Sequence, residues 1–283
     1  MSNNNSRKPN EVIVNQTSIT SEDESPILSK LKELLEAADG TDNCFPGLVL
    51  SIIGDSESYV PKPWNTVAFT SGLLQSIQGV KKSWVIYRGK TGGISRLIYD
   101  AFRETSNTKS PTEPKNKNKE TFNNNTLIAI RPAKKIEKKG KDKVTEPNWC
   151  ISLKSDFEDD QKPHPRRYKW FNRYVCHFLE KLSAEYTPLL SKENEKVLIK
   201  MRVPVLVIAV EGDQYTIHQI KEAIQRNIPV LLMKGSGKAV DFIIEYLQES
   251  SQVERENILK VNAPLLLEEN GENTGTQPSY YNF

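Results

Sequence analysis

The chain has 283 residues with 39 basic and 36 acidic side chains, so its formal net charge of +3 gives no argument for a nucleic-acid partner or a membrane surface. Its three scattered cysteines, Cys44, Cys150 and Cys176, are too few for a disulfide framework or a four-ligand zinc site, and they predict buried thiols in a reducing compartment. The amino terminus has no apolar signal segment and the longest apolar run, 203–210, is too short for a membrane span, so we expect a cytoplasmic chain.

The first quarter of the chain changes from polar to apolar. Residues 1–24 are rich in Asn, Ser, Thr and Glu with little periodicity, which predicts a disordered amino-terminal tail. Helical spacing of Ile and Leu then predicts a short helix over 27–35. The apolar run 47–53 predicts a buried strand, and the spacing that follows predicts a helix over 64–77.

The next segment predicts a strand, a turn and a helix. Residues 83–87 have the composition of a strand, and apolar positions within 94–102 follow helical spacing. Residues 104–122 are rich in Lys, Asn, Thr and Pro, which predicts a long mobile insertion.

Two further strands are predicted at 126–130 and 149–153, on either side of the lysine-rich stretch 134–143. This stretch is either a patch for anionic lipid or nucleic acid, or a solvated loop. We favour the solvated loop, because no aromatic residues lie between the lysines.

The second half of the chain alternates helices with strands. A long helix is predicted over 168–186, followed by a strand at 204–210, a helix at 217–224, a strand at 229–233 and a helix at 240–247. Alternating strands and helices, with strands of nearly continuous Val, Ile and Leu, predict an α/β fold. We therefore expect a Rossmann-like, mostly parallel sheet with helices on both faces.

Three glycine-bearing turns follow three of the predicted strands, at 88–93, 211–216 and 234–238. At the carboxyl ends of parallel strands, glycine lets backbone N–H groups approach a phosphate, and a helix N-terminus adds partial positive charge. Lys90 and Lys238 offer a cation in two of the turns. The three turns together predict a cleft for an anionic, nucleotide-type ligand.

Each turn alone has a plainer interpretation, since many folds use glycine at strand-to-helix corners for steric reasons. The pair Gly237-Lys238 does not form a P-loop, because Leu232 stands where the first glycine would be and Ala239 stands where the magnesium-binding hydroxyl would be. The first turn also lacks the three spaced glycines of a dinucleotide fingerprint.

Residues 61–102 resemble the amino-terminal cytosolic homology region of melastatin-type transient receptor potential (TRPM) channels, in which a Trp-led strand runs into a T-G-G-T-x-T-G-V-M loop. Positions on that pattern are Trp84, Gly89, Gly93 and Ala101. The chain departs from it where Arg88 replaces a Gly, Lys90 a Thr and Tyr99 another Gly.

Two later segments resemble the same family in the same order. Residues 203–220 are similar to its I-P-V-V-x-V-V-V-E-G-G-x-x-T segment, with Asp213 in place of the second Gly, and residues 228–243 are similar to its P-V-V-V-x-x-G-S-G-R-A-A-D segment, with Lys238 in the Arg position. The resemblance covers roughly residues 45–248, and we assign 25–250 to one domain and 251–283 to a partly disordered carboxy-terminal extension.

The resemblance implies a Rossmann-like SLOG domain, related to bacterial nucleotide sensors, that binds ADP-ribose or an adenine nucleotide and uses neither a metal nor another cofactor. It also implies a link to cation-channel gating, with channel subunits or a homotetramer as partners. The chain would then be a stand-alone relative or a fragment of a larger channel, and only a fragment would be membrane-associated. The candidate ligand-binding residues are Arg88, Gly89, Lys90, Thr91, Gly93, Gly212, Asp213, Thr216, Gly235, Ser236, Gly237 and Lys238.

Two alternatives remain open. In a LOG-type phosphoribohydrolase, a glutamate of the motif P-G-G-x-G-T-x-x-E serves the chemistry, but Gln219 occupies that position and cannot act as a carboxylate, so we expect a non-catalytic domain. A degenerate SLOG domain used as an assembly scaffold is the second alternative, supported by the departures at Arg88, Lys90, Tyr99 and Asp213.

Overall fold

The computed structural model describes residues 10–15, 45–54, 62–80, 82–90, 92–107, 125–132, 149–154, 165–190 and 199–268. Their strands are β1 (Asn10–Asn15), β2 (Leu48–Ile53), β3 (Ser83–Tyr87), β4 (Asn125–Pro132), β5 (Trp149–Lys154), β6 (Tyr186–Leu190), β7 (Ile199–Arg202), β8 (Val205–Ala209) and β9 (Val230–Leu232). Their helices are α1 (Pro63–Ile77), α2 (Gly93–Asn107), α3 (Pro165–Ala184), α4 (Gln214–Gln225), α5 (Lys238–Gln248) and α6 (Gln252–Glu268).

Seven of the strands form one sheet in the order β1-β5-β4-β3-β2-β8-β9, and every neighbouring pair in it is parallel. The chain builds from β2 through β3 and β4 to β5 toward one edge, then returns to place β8 on the other side of β2. The order therefore reverses between β2 and β8. In open parallel sheets, the crevice outside the carboxyl ends at such a switch point is the usual place for a ligand.

Both faces of this sheet are covered by helices. Alternate strand residues point to opposite faces, so Val49, Trp84 and Ile128 pack in one core cluster with α3 and α4, while Leu50, Val85 and Leu127 pack in the other with α1 and α2. Burying both faces explains why the strands are apolar at nearly every position. The prediction of a Rossmann-like α/β fold with helices on both faces is confirmed.

Strand β1 lies within the segment 1–24, which we predicted to be a disordered tail. The structure instead pairs Asn10–Asn15 with Trp149–Lys154 of β5, so the prediction is wrong at these six residues. The polar composition of the segment was a poor guide, because strand pairing uses backbone N–H and C=O groups that every non-proline residue carries.

Three other differences concern the second half of the chain. Strands β6 and β7 form a separate antiparallel pair that was not predicted, and Tyr186 begins β6 instead of ending the long helix. Helix α6 begins just after the domain boundary that we set at residue 250, and it packs against α5. The predicted helix 27–35 and the lysine-rich stretch 134–143 lie outside the described residues.

A leucine in the core and a leucine on the surface give a direct test of this packing. Leu179→Ala in α3 removes a side chain that is 0% exposed, whereas Leu247→Ala in α5 removes one that is 66% exposed. We expect the first change to lower the free energy of unfolding by about 2–5 kcal/mol, because it leaves a cavity. The second should change it by less than about 0.5 kcal/mol. Urea denaturation of both variants measures the difference, and equal effects would contradict the assigned core.

Candidate ligand-binding cleft

A cleft opens at the switch point between β2 and β8. Gly54, at the end of β2, has a φ of 103°, and a Cβ atom there would overlap the carbonyl oxygen of Val210. Only glycine therefore lets the two strand ends lie this close. The lining residues are Ser51, Ile52, Ile53, Gly54, Ile86, Tyr87, Arg88 and Ile130 from the strand ends, Phe171, Asn172 and Val175 from α3, and Asp213, Tyr215, Thr216 and Gln219 from the turn after β8 and from α4.

The first glycine turn contributes Arg88 to the cleft. Its guanidinium carbon lies 5.4 Å from the centre of the Phe171 ring, in the geometry of a cation–π contact. This contact holds a half-buried cation against the wall formed by α3. Among the lining residues that the structure describes, Arg88 is the only one with a positive charge.

The other candidate residues of the first turn lie outside the lining. A Cβ atom on Gly89 would lie 2.6 Å from the Cβ of Ala129, so this glycine is explained by packing against β4. Lys90 is half-buried beyond the cleft, and Gly93 begins α2 with a φ of 60°. Thr91 lies outside the described residues.

The second glycine turn ends in a capping box at the start of α4. The Asp213 carboxylate oxygen Oδ1 accepts hydrogen bonds from the Tyr215 N–H at 2.9 Å and from the Thr216 N–H at 3.1 Å, and the Thr216 Oγ1 accepts one from the Asp213 N–H at 3.2 Å. Such a box satisfies the N–H groups that a helix leaves without intrahelical partners. The donors that we expected to face a phosphate are thus used by Asp213 itself.

Gly212 makes this capping box fit. It has a φ of 81°, and a Cβ atom there would overlap the side chain of Thr216. Any other residue would therefore push Thr216 away from Asp213. Gly212 supports the second turn by its lack of a side chain, while Asp213 and Thr216 line the cleft.

The third glycine turn packs against the second turn and contributes none of the lining residues described above. The Ser236 hydroxyl accepts a hydrogen bond from the Glu211 N–H at 2.8 Å, and the Lys238 ammonium lies 3.7 Å from the Glu211 carboxylate. Gly235, Ser236, Gly237 and Lys238 therefore lie beside the second turn and outside this lining, and their role in ligand binding stays a prediction. Glu211 is an acidic side chain that would compete with a ligand anion for the Lys238 ammonium.

Two N–H groups of the third turn, and one in the first turn of α5, have acceptors within the protein. The Gly235 N–H donates to the Asp241 carboxylate at 2.7 Å, the Ser236 N–H to the Met233 carbonyl at 3.2 Å, and the Val240 N–H to the Glu211 carbonyl at 3.0 Å. The Gly235 carbonyl in turn accepts from the Asn65 side chain of α1 at 2.6 Å. This turn therefore fastens α1 and α5 to the end of β8.

Glu211 is a central residue that the sequence did not single out for a role. It is only 5% exposed, its φ of 58° lies in the left-handed region, and its backbone and side chain both contact the third turn. A buried carboxylate needs a cation or hydrogen-bond donors nearby to offset its loss of hydration. The sequence shows an acid directly before a glycine, but only the structure shows that this acid is buried against the third turn.

Helices α3 and α4 form the remaining wall of the cleft. The Asn172 amide donates to the Tyr215 carbonyl at 2.7 Å, and the Cys176 thiol donates to the Gln219 carbonyl at 3.5 Å. Burial raises the pKa of Cys176 to about 12, so this thiol stays protonated and inert near neutral pH. The periodicity of α3 predicted its apolar face, but not that Phe171, Asn172 and Val175 would face a cleft.

An ion network joins the same two helices behind the cleft. Arg226 donates to the Glu222 carboxylate at 2.6 Å and lies 3.4 Å from the Glu180 carboxylate of α3. His218 lies 3.9 Å from Glu222, and its Nδ1 is buried without a hydrogen-bond partner within the described residues. Burial lowers the pKa of His218 below its ordinary value of 6.5, and Glu222 opposes this shift, while Lys169 and Lys221 add to it.

Two sequence comparisons, with a family model and with a curated protein, point to the same family. Residues 179–268 match the family model described as SLOG in TRPM. The chain is 22% identical to the transient receptor potential cation channel subfamily M member 4 of Rattus norvegicus, over 72% of this chain and 17% of that protein. It is also similar to the X-ray structure of TM1055, a structural genomics target, with 14% identity, a TM-score of 0.39, and coverage of 70% of this chain and 81% of that one.

The family match confirms the resemblance inferred from the sequence. The chain spans 17% of the length of the rat relative. Within the described ranges, every helix is too short or too polar to cross a bilayer. The described residues also contain no group of three or more His, Cys, Asp or Glu side chains that could hold a metal ion.

The ion pair between Lys238 and Glu211 predicts a loss of stability when the lysine is removed. Lys238→Met should lower the free energy of unfolding by about 1–2 kcal/mol, because it leaves a buried carboxylate with fewer stabilising charges. Adding Glu211→Gln should recover part of that loss, because the charge that needed the lysine is gone. Urea denaturation of Lys238→Met, of Glu211→Gln and of the double variant gives the coupling energy. Lys234→Met, at an exposed lysine of the same turn, is the control, and an equal effect there would contradict the pairing.

The buried His218 predicts a pH-dependent stability. Since its pKa is lowered in the folded state, the unfolded chain binds the proton more readily, and stability is lost as pH falls from about 6.5 through the folded pKa. The free energy of unfolding of the natural chain should therefore fall more than that of His218→Gln between about pH 7.5 and about pH 5.5. His177→Gln, at a more exposed histidine, controls for the loss of one imidazole. Parallel pH profiles for the natural chain and His218→Gln would contradict the assignment.

Proposed function

We propose that this chain, which is related in sequence to the SLOG domain of TRPM proteins, is a non-catalytic regulatory domain that binds a nucleotide-derived anion in the cleft between β2 and β8. The anion would belong to the class of ADP-ribose or an adenine nucleotide. Its binding would shift the conformation of a cation channel to which the domain is attached or bound. The ligand class is the one that the resemblance implies, but the main contact comes from the Arg88 side chain and not from the backbone N–H groups of the glycine turns.

Arg88 is the observation that carries this proposal. Its guanidinium lies in the cleft at the position where the family pattern has a glycine, and the ring of Phe171 holds it there. An arginine can donate two parallel hydrogen bonds to a phosphate, which gives both energy and orientation. The cleft is otherwise apolar along the strand ends and offers amides at Asn172 and Gln219 for orienting a ligand.

The absence of a suitable carboxylate supports a role without turnover. Gln219 lines the cleft at the position where the phosphoribohydrolases have their catalytic glutamate. Among the lining residues that the structure describes, Asp213 is the only acid, and its carboxylate accepts the hydrogen bonds of the capping box. A general base or an oxocarbenium-stabilising group needs a carboxylate that can reach the substrate.

The setting that we propose for the domain is taken from its relative. The rat protein is named as a cation channel, and this chain aligns with a small part of it. In our proposal the domain acts from the cytoplasm on channel subunits, in a tetrameric assembly if it is built into a channel. A ligand can regulate such an assembly only if it binds one conformation more tightly than the other.

A scaffold without a ligand is the second candidate, and one observation favours it. At the second and third glycine turns, the N–H groups of Tyr215, Thr216 and Gly235 donate to the carboxylates of Asp213 and Asp241. These donors need no phosphate to satisfy them. In this alternative the domain keeps the SLOG fold as an assembly surface.

Ligand binding by the full chain tests the proposal. ADP-ribose, ATP and AMP should be titrated by calorimetry and thermal shift, beside an assay for released adenine. We expect at least one of them to bind and stabilise the protein without release of base. Arg88→Gln should weaken that ligand by about tenfold or more, because a charge-assisted hydrogen bond is lost. Arg173→Gln, at an exposed arginine of α3 outside the cleft, is the matched control and should leave affinity unchanged.

Each other result has a defined meaning. Release of adenine would establish turnover and overturn the non-catalytic assignment. No binding and no stabilisation by any of the three ligands would favour the scaffold. Equal affinities for Arg88→Gln and Arg173→Gln would remove Arg88 from the site even if a nucleotide binds.

A further inference from the structure

We propose that Asp213 is the specificity-determining residue of the cleft, because its carboxylate occupies the place at the start of α4 that a ligand phosphate would otherwise take. The inference rests on the proposed function in so far as it names which part of the cleft a ligand contacts. The anionic group of the ligand would then bind Arg88 and not the N–H groups of Tyr215 and Thr216.

The Asp213 carboxylate accepts hydrogen bonds from several donors at the start of α4. Oδ1 of Asp213 lies 2.9 Å from the Tyr215 nitrogen, 3.1 Å from the Thr216 nitrogen and 3.3 Å from the Thr216 hydroxyl oxygen. Three donors on one oxygen form the arrangement that an oxyanion of a phosphate requires. Asp213 therefore acts as an internal oxyanion at this end of α4.

Asp213 lies in the wall of the proposed ligand cleft. Asp213 and Thr216 line the same cleft as Arg88, so the occupied donors face the space in which a ligand would sit. A ligand phosphate brought to α4 would find these donors already occupied by the Asp213 carboxylate. The cleft as built therefore turns away an anion on the α4 side and accepts one on the side of β3.

The Asp213 carboxylate and a ligand phosphate would compete for the same N–H groups. The carboxylate is attached to the backbone of the residue that begins the helix, so it loses little freedom when it accepts these hydrogen bonds. A free phosphate must lose its translational and rotational freedom to make the same contacts. The internal anion has the advantage at ordinary concentrations, and one residue decides the outcome.

Asp213→Gly gives the sharpest test, because it removes the internal anion and keeps a residue that is accepted at an N-cap at a cost of only a few tenths of a kcal/mol. Inorganic pyrophosphate is the probe, and the backbone amide resonances of Tyr215 and Thr216 in the full chain report its position. We expect these resonances to shift saturably in Asp213→Gly, with affinity about tenfold or more above that of the natural chain.

Asp213→Asn is the matched control. The asparagine oxygen still accepts the hydrogen bonds of the cap while the negative charge is gone. We expect Asp213→Asn to gain little pyrophosphate affinity, since the donors stay occupied. An equal gain in Asp213→Asn and Asp213→Gly would overturn the proposal, because charge repulsion and not occupancy would then set the specificity.

Two further outcomes would also overturn it. One is a saturable shift of the Tyr215 and Thr216 resonances in the natural chain as strong as in Asp213→Gly. The other is no pyrophosphate binding by an Asp213→Gly protein whose thermal unfolding shows that it is folded. Failure of nucleotides to bind the natural chain would defeat the proposed function alone, because the comparison of these variants uses pyrophosphate and a local readout.

Discussion

The parallel contact between β2 and β8 is the constraint on which the rest of this structure depends. The Val210 N–H donates to the Ile53 carbonyl at 3.1 Å, and Gly54 removes the side chain that would separate the two strand ends. From this point the chain leaves β2 toward one face of the sheet and β8 toward the other. The divergence opens the cleft, and both Arg88 and Asp213 line it.

The polar groups of the glycine turns are satisfied mostly from within the protein. Asp213 binds the first N–H groups of α4, Asp241 binds Gly235, and Glu211 holds Ser236 and Lys238. Buried backbone groups must find partners, and side chains that find them first leave less for a ligand. A glycine turn at a strand end therefore marks where a phosphate could be bound, and the acids around it decide whether the donors are available.

Two departures from the TRPM pattern act on this one cleft in opposite ways. Arg88 adds a cation where the family pattern has a glycine, and Asp213 adds an anion where the pattern has another. In the proposed function, the side chain of Arg88 at the end of β3 attracts the anionic group, and the backbone amides at the start of α4 do not.

The sequence by itself determined the layered architecture, because the periods of strand and helix are local properties. Strand Ser83–Tyr87 has the predicted bounds, and helix Pro63–Ile77 differs from its prediction by one residue. Only the tertiary structure decided that Asn10–Asn15 pairs with β5 and that Lys238 forms an ion pair with Glu211. The physical reason is that a hydrogen-bond or charge partner is chosen by distance in space, which neither composition nor spacing along the chain encodes.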